Sequence, residues 1–513
     1  MATKKTVVPP FAWLGRYWVP VGLALVTVVA GFFRFYRLNE LPPGLDETSA
    51  RLGLQALNLS PVSWLPTLSA DTGYSPVWVW LQAASIHVFG HNALALRLWP
   101  ALLGTLAVVA TWLWLRDWFG KRVAWSGAFT MAVAPWAVTI SRSGLDPSLI
   151  TLLVPLTLWL SSRAQHTPST LRYALLGSVL ALDLLSGPLG WLLALAVALV
   201  AAWRLALAHQ LLHGSKQRMT GAIIFALGAA SLGYFIGRSF TAIKDMPQTL
   251  GLITTPAMLL QNLVKVLLMF NVHGDENYRH NLAGEPLLNV FVGLMMVTGL
   301  LVSLSRLHRL RYRVLLLLTL VLLIPPVLTL TGSPNASWAA GVLPLVFALV
   351  GIGTGYMLEL WYATFPINSA ARATGQAAII LLLALSLLQG YTQYFRAWAG
   401  STAVYSAFNE GSVQMADHLK SDSFTGERYA VLPAELFPVI QYLSYGSKGY
   451  RLLTPADLTA LPVATANRQF YITAVSRDES VKVLKAKFPG GVLRPHYSSF
   501  NQLEIYYTYE VNK

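Results

Sequence analysis

The sequence predicts an all-α polytopic membrane protein of about eleven spanning helices, followed by a small external α/β domain at the C-terminus. Three observations carry this prediction. Of 513 residues, 55% are hydrophobic and only 12% charged, about half the charge of an ordinary soluble domain. The apolar residues fall in runs near the ~20 residues that a membrane helix needs, and backbone in lipid must bond within its own segment, so such runs are helices. From about residue 397 onward the runs give way to short strand-like segments.

Taken in order, the candidate spans are 17–36, 94–115, 123–140, 147–163, 172–187, 189–207, 219–238, 287–305, 314–331, 337–360 and 375–396. The first lacks a small-residue cleavage pattern and reads as an uncleaved anchor. Residues 76–90 (PVWVWLQAASIHVFG) are apolar but short for a crossing. If they do not cross, every basic short loop, from Lys4 and Lys5 to the Arg306–Arg313 cluster, falls on one side. The positive-inside rule favours that parity. The segment is therefore expected to lie on the outer surface as an amphipathic or half-inserted helix. The N-terminus is then cytoplasmic and the C-terminus extracytoplasmic, in a cell membrane. The long external loops are 37–93 and 239–286.

The division expected is a transmembrane module over 1–396 and a soluble domain over 397–513. GERYAVLPA, RQFYITAV and NQLEIYYTYEV have the β-branched and aromatic content of strands. Segments 410–421 and 479–488 read as helices between them, an alternation that points to α/β. The net charge of +15 is spread over span ends rather than gathered in a patch, so no nucleic-acid partner is expected. The absence of cysteine excludes disulfides, thiolate catalysis and zinc–thiolate sites.

Chemistry is sought where polar groups gather at the outer face. Just after the first span comes Leu41-Pro42-Pro43-Gly44-Leu45-Asp46-Glu47, a rigid turn feeding a helix. An acid pair at a helix start is an ordinary cap. It is equally a carboxylate held at the mouth of a membrane cavity, where desolvation raises its proton affinity and suits it to act as a general base. The turn Ser141-Arg142-Ser143-Gly144-Leu145-Asp146-Pro147 carries ordinary turn residues. Arg142 there is basic against the positive-inside bias, so it calls for Asp146 or an anionic ligand as partner. A third window runs from Asn271 through His273, Asp275, Asn277, Arg279 and His280 to Pro286. Arg and His suit an anion, and Asp and Asn suit sugar hydroxyls. The spacing of His273, Asp275 and His280 matches no standard metal-ligand pattern. Arg97 lies at the outer end of the second span, placed to snorkel or to reach a lipid phosphate.

These residues, in this order, resemble the GT-C polyprenyl-phosphate-dependent glycosyltransferases, on the branch of bacterial relatives of protein O-mannosyltransferases and lipid A aminoarabinose transferase. The carriers are LPPGLDE after the first span, ALRLWPALLGTL with a basic WLRDWFGKR turn, APWAVTISRSGLDPS, and GDENYRHNLAGEP before a later span. The resemblance covers roughly residues 17–400. It implies a lipid-linked sugar donor used outside the cytoplasm, with membrane lipid and a protein, lipid or glycan acceptor as partners. Carried over residue by residue, Asp46 is implied as the catalytic base with Glu47 beside it, and Asp146 as the second acid of the cavity. Asp46 and Asp146 are the pair that a divalent metal, magnesium or manganese, would use if one is needed. Arg97, Arg142, Arg279 and His280 are implied as candidates for the donor phosphate. Many relatives place a basic residue shortly before the LP of a late span, whereas SPNASWAAGVLP here has none, so another residue must take that role.

The chemistry stands without the family. Attack on a sugar C1 needs a deprotonated hydroxyl, which one carboxylate can supply. The leaving lipid phosphate is best stabilised by cations in a water-poor cavity. A single base points to one displacement with inversion. The competing expectations are a transporter or flippase of lipid-linked sugars and a non-catalytic scaffold. Transporters show inverted repeats and charges at mid-membrane. No repeat is visible here, and Asp183 is the nearest exception to the clustering of ionisable residues outside the spans.

Overall fold

A computed structural model of the chain describes residues 12–59, 75–145, 147–207, 216–238, 255–329, 333–421, 424–462, 467–498, 500 and 502–512. Asp146 and parts of both long loops expected to be external lie outside the described residues.

The helical module begins with α1 (Ala12–Phe35), α2 (Glu47–Leu57), α3 (Pro76–Phe89), α4 (Ala93–Phe119), α5 (Lys121–Val133) and α6 (Pro135–Ile140). It continues with α7 (Pro147–His166), α8 (Thr170–Leu185), α9 (Pro188–Leu207) and α10 (Lys216–Arg238). Next come α11 (Pro256–Leu268), α12 (Val290–Ser305), α13 (Leu310–Leu322), α14 (Ile324–Leu328), α15 (Leu343–Thr364) and α16 (Ser369–Tyr391). Among the described residues, six helices are long and apolar enough to cross a membrane, and three shorter ones are apolar. Burial sorts them by place. In α15 and the 3-10 turn before it, 83% of the apolar window is buried, whereas in α16 it is 6%. One is therefore the centre of the bundle and the other its lipid-facing wall. The centre is close-packed because small residues let backbones meet: a Cβ on Gly299 of α12 would strike the Leu349 carbonyl of α15.

Helix α3 departs from the amphipathic helix expected. Two of its polar side chains point inward: Gln82 and Ser85 are buried and donate to the carbonyls of Leu96 (3.1 Å) and Ala95 (2.6 Å) in the first turn of α4. Ala84, His87, Val88 and Phe89 are exposed. Pro100 inside α4 has no N–H to offer the Leu96 carbonyl four residues earlier, which leaves that carbonyl to accept from Gln82. Two of the expected spans, 123–140 and 314–331, are each broken in two by proline, at Pro135 and at Pro325-Pro326.

After α16 a π-helical turn (Thr392–Trp398) leads to α17 (Thr402–Ala407) and α18 (Glu410–Ser421). The terminal domain then builds a five-stranded sheet from β1 (Glu427–Val431), β2 (Tyr450–Leu453), β3 (Arg468–Thr473), β4 (Val492–Tyr497) and β5 (Glu504–Val511). The order is β2-β1-β3-β5-β4. Strands β1, β2 and β3 run parallel, and β5 is antiparallel to both β3 and β4. Helices α19 (Phe437–Leu443) and α20 (Arg477–Lys487) complete it. One sheet face closes a small core of its own around Phe470, Ile472, Leu484 and Tyr509. The other face, with Ala430, Tyr471 and Tyr506, continues through α18 and α19 into the main core of the helical module.

Candidate active site

The site is assembled where α1 ends. The last carbonyls of a helix have no partner within it, and buried arginines supply the donors here. Arg142 is fully buried. One terminal nitrogen donates to the carbonyls of Phe33 (2.9 Å) and Arg34 (3.0 Å), the other to those of Tyr36 (2.9 Å) and Leu41 (3.0 Å). Its guanidinium lies 5.3 Å from the Tyr394 ring and 5.5 Å from the Phe395 ring, both in the π-helical turn. Arg97 is equally buried and donates to the carbonyls of Leu38 and Gly44. Arg34, which sequence reading passed over inside a span, donates to Ser141 Oγ (3.1 Å) and the Ala132 carbonyl (3.0 Å). Three arginines thus fix the path of residues 33–44.

That path delivers the acid pair. Asp46 is the N-cap of α2: Oδ1 accepts from the Ser49 amide (2.9 Å) and Oδ2 from the Ser49 hydroxyl (2.6 Å). It is 3% exposed. Burial pushes the Asp46 carboxyl above its ordinary value; the Ser49 bonds and the Arg279 charge oppose this without cancelling it, and the Glu47 charge adds to it. Its neighbour behaves oppositely. Glu47 holds Arg279 in a two-pronged ion pair, Oε1–Nη1 2.7 Å and Oε2–Nη2 2.8 Å, and accepts from Asn409 Nδ2 at 3.3 Å. Burial would raise Glu47 too, but the Arg279 bonds and charge outweigh it and hold Glu47 below the usual carboxylate value. Adjacent carboxyls in one turn are thereby split, one drawn towards its neutral form and one fixed as an anion.

Arg279 comes from the loop between α11 and α12, whose hub is Asp275. This buried carboxylate accepts from the Asn277 amide (2.8 Å) and the Ala336 amide (2.8 Å) and contacts His280 Nδ1 at 3.0 Å. Asn277 Oδ1 in turn accepts from the Arg279 amide at 3.0 Å. Through Ala336, whose carbonyl accepts from Trp136 Nε1 (3.0 Å), the SPNASW segment is docked on Asp275 rather than left as a free turn. The start of the terminal domain closes the third side. Arg279 Nε donates to the Ala407 carbonyl (2.8 Å), the Leu45 amide to the Phe408 carbonyl (2.6 Å), and Asn409 Nδ2 to the Leu45 carbonyl (3.2 Å).

Of the residues singled out from sequence, the structure brings Asp46, Glu47 and Arg279 together. Arg97 and Arg142 lie behind them, with their hydrogen bonds directed to backbone carbonyls. Asp275, Asn277 and His280 shape the loop that presents Arg279. His273 stands apart, exposed and 3.2 Å from Glu276. Asn409 and Arg34 were not anticipated. Among the described residues no group of three or more His, Asp or Glu side chains converges to hold a metal, and both Asp46 oxygens are engaged by Ser49.

Fold and site define a membrane-embedded helical module whose first extramembrane turn carries a buried acid beside an ion pair. Residues 73–234 match the family described as dolichyl-phosphate-mannose-protein mannosyltransferase. The fold is shared with ArnT from Cupriavidus metallidurans in the apo state, at 12% identity and a TM-score of 0.56 over 97% of this chain and 98% of that one. The same protein bound to undecaprenyl phosphate matches at 13% identity and a TM-score of 0.52, with the same coverage. An oligosaccharyltransferase from Archaeoglobus fulgidus, tethered to an acceptor peptide, matches at 15% identity and a TM-score of 0.53 over 94% of this chain and 70% of that one. No curated protein matches by sequence. The chain has the GT-C fold.

Proposed function

We propose that this protein transfers a sugar from a polyprenyl-phosphate-linked donor to an acceptor hydroxyl at the outer face of the membrane, with Asp46 as general base. The observation that supports this most is the splitting of the acid pair. Asp46, buried and with raised proton affinity, is a stronger base than an ordinary exposed carboxylate, while Glu47 is committed to Arg279. In the reaction the acceptor oxygen bonds to C1, its proton passes to the Asp46 carboxylate, and the C1–O bond to the lipid phosphate breaks. One displacement inverts C1. Arg279, whose charge acts on Asp46, is the cation that would meet the departing phosphate, with His280 on the same loop as a further hydrogen-bond donor. Arg97 and Arg142 act earlier in the chain of causes, by holding the turn that carries Asp46. Asp46 and Asp146 are the carboxylates that a divalent metal would use if the reaction needs one.

The eleven-span topology, a cytoplasmic N-terminus and an extracytoplasmic C-terminal domain in the cell membrane belong to this reading, because they place donor cations at lipid depth and the acceptor side in water. The likeness to ArnT, whose structure includes a complex with undecaprenyl phosphate, supports a lipid-phosphate donor. The test is transfer by purified, reconstituted protein offered a panel of radiolabelled polyprenyl-phosphate hexoses and pentoses with candidate acceptors. Label appearing on an acceptor supports the proposal. Donor that crosses the bilayer without being consumed overturns it in favour of a flippase.

A further inference from the structure

At the outer ends of α1 and α16 the aromatic side chains form a continuous ladder. Phe32 stacks on Tyr36 at 4.9 Å, and Phe395 lies 6.2 Å from Phe32 and 5.5 Å from Tyr36. Phe32 and Tyr36 are 44% and 42% exposed. Exposed rings at span ends mark the headgroup level of a bilayer. A second aromatic pair, from another part of the chain, stands beside the residues that follow α1. Tyr405 of α17 lies within electrostatic reach of Arg37 and Glu40, the exposed pair that follows α1. On Tyr405 lies Phe500, from the connection between β4 and β5, with ring centroids 4.4 Å apart and planes 10° from parallel. Ser498 fixes that connection by donating to Glu410 Oε1 at 2.9 Å.

Around Phe500 (49% exposed) stand Tyr497 (50%) and Leu503 (53%), three large apolar side chains uncovered at one end of the sheet. It is the same end at which the terminal domain grips Leu45 and Glu47. We infer that the end of the β4–β5 hairpin bearing Tyr497, Phe500 and Leu503 is an interfacial membrane anchor, seated in the headgroup region that the outer ends of α1 and α16 reach. The occupant is a lipid surface because the hairpin stacks on Tyr405, which stands beside the Arg37–Glu40 pair that directly follows the exposed aromatic end of α1. Amphipathic rings such as Tyr and Phe beside a charged pair suit that boundary. Since Tyr405 and the Ala407–Asn409 stretch are nearly contiguous, the anchor fixes the height of the Asp46 turn above the membrane.

The native chain has no cysteine, so single-site spin labelling needs no background removal. Tyr497→Cys, Phe500→Cys and Val492→Cys are made in the full-length protein, labelled, and reconstituted in phosphatidylcholine liposomes. Val492 is 51% exposed and starts the same strand, roughly 17 Å away at about 3.4 Å per residue, which makes it the matched aqueous reference. Accessibility to oxygen relative to a water-soluble nickel chelate is expected to be several-fold higher at 497 and 500 than at 492. Equal, water-like ratios at all three positions overturn the inference. So do labels at 497 and 500 that exclude both reagents and show dipolar broadening, since a second copy of the chain then covers the patch.

Discussion

The ion pair between Glu47 and Arg279 joins loops 232 residues apart, and its strength decides whether the acid turn is held by the later loop. The perturbation is a double-mutant cycle of Glu47→Gln and Arg279→Met. Two unit charges at contact in an effective dielectric of about 20 attract by roughly 4 kcal/mol. Side-chain ordering and desolvation offset part of this: exposed pairs retain about 0–1 kcal/mol, while breaking a buried one costs about 3–5 kcal/mol. With 28% and 26% of the two side chains exposed, the pair lies between these limits. A coupling of about 2 kcal/mol is expected, or roughly thirtyfold in kcat/KM. The double variant should therefore transfer sugar roughly thirtyfold faster than the product of the single effects implies. A second readout is the acid limb of the kcat/KM profile. The Arg279 charge opposes the rise of the Asp46 pKa, so its removal raises that pKa further and moves the limb to higher pH. Coupling below about 0.5 kcal/mol, within the error of additivity, together with an unmoved limb, refutes the reasoning.

Three further outcomes follow from the same contacts. Asn409→Gly keeps a backbone suited to its positive φ of 54° but deletes the bonds to Leu45 and Glu47, so kcat should fall about tenfold for the ~1.4 kcal/mol of lost positioning, with KM little changed; an unchanged kcat shows that the side chain positions nothing. Arg142→Met strands four carbonyls in the interior and should cost at least about 3 kcal/mol, seen as aggregation on extraction or a large fall in thermal stability; a well-folded variant with a raised donor KM would instead make Arg142 a phosphate ligand. Asp46→Asn should be as thermostable as wild type or more so at neutral pH. A carboxyl with a raised native pKa binds its proton more tightly when folded, so stability falls as pH rises from the unfolded value through the folded one. The variant escapes that loss, and the difference should close at acid pH; a variant less stable at every pH contradicts this.

The legible parts of this molecule were those whose cause is local. Asp46 and Glu47 stood out because a Pro-Pro-Gly turn followed by acids at a helix start is a pattern within seven residues. The helix at 410–421 and the strands β1, β3 and β5 were legible because central strands and amphipathic helices carry their burial in their composition. Strands β2 and β4 were missed because they are the two edges of the sheet. Edge positions tolerate exposed residues and, in β4, Pro495, so neither segment shows an apolar run. Helix α11 was read as loop, since its thirteen residues are too few for a span. The breaks at Pro135 and Pro325-Pro326 were smoothed over because the hydropathy of the flanking turns is continuous. At the site, Arg279 was visible as part of a polar window, but its partner was not, because nothing in a sequence pairs residues 232 apart. A lone asparagine in a linker, such as Asn409, carries no signal at all. Arg142 stands out as a charge against the positive-inside bias and Arg97 as one placed to snorkel or to reach a lipid phosphate; no spacing encodes that the partners they reach are the carbonyls of the end of α1 and of the turn after it.

The most direct test of the central claim is single-turnover sugar transfer from a bound polyprenyl-phosphate donor, wild type beside Asp46→Asn, with donor binding and thermal unfolding measured on the same preparations. Asp46 as base requires transfer to fall by at least about a hundredfold while donor affinity and folding are retained. Transfer by the Asn variant at a rate comparable to wild type would remove Asp46 from the chemistry and, with it, the account of why this turn is built as it is.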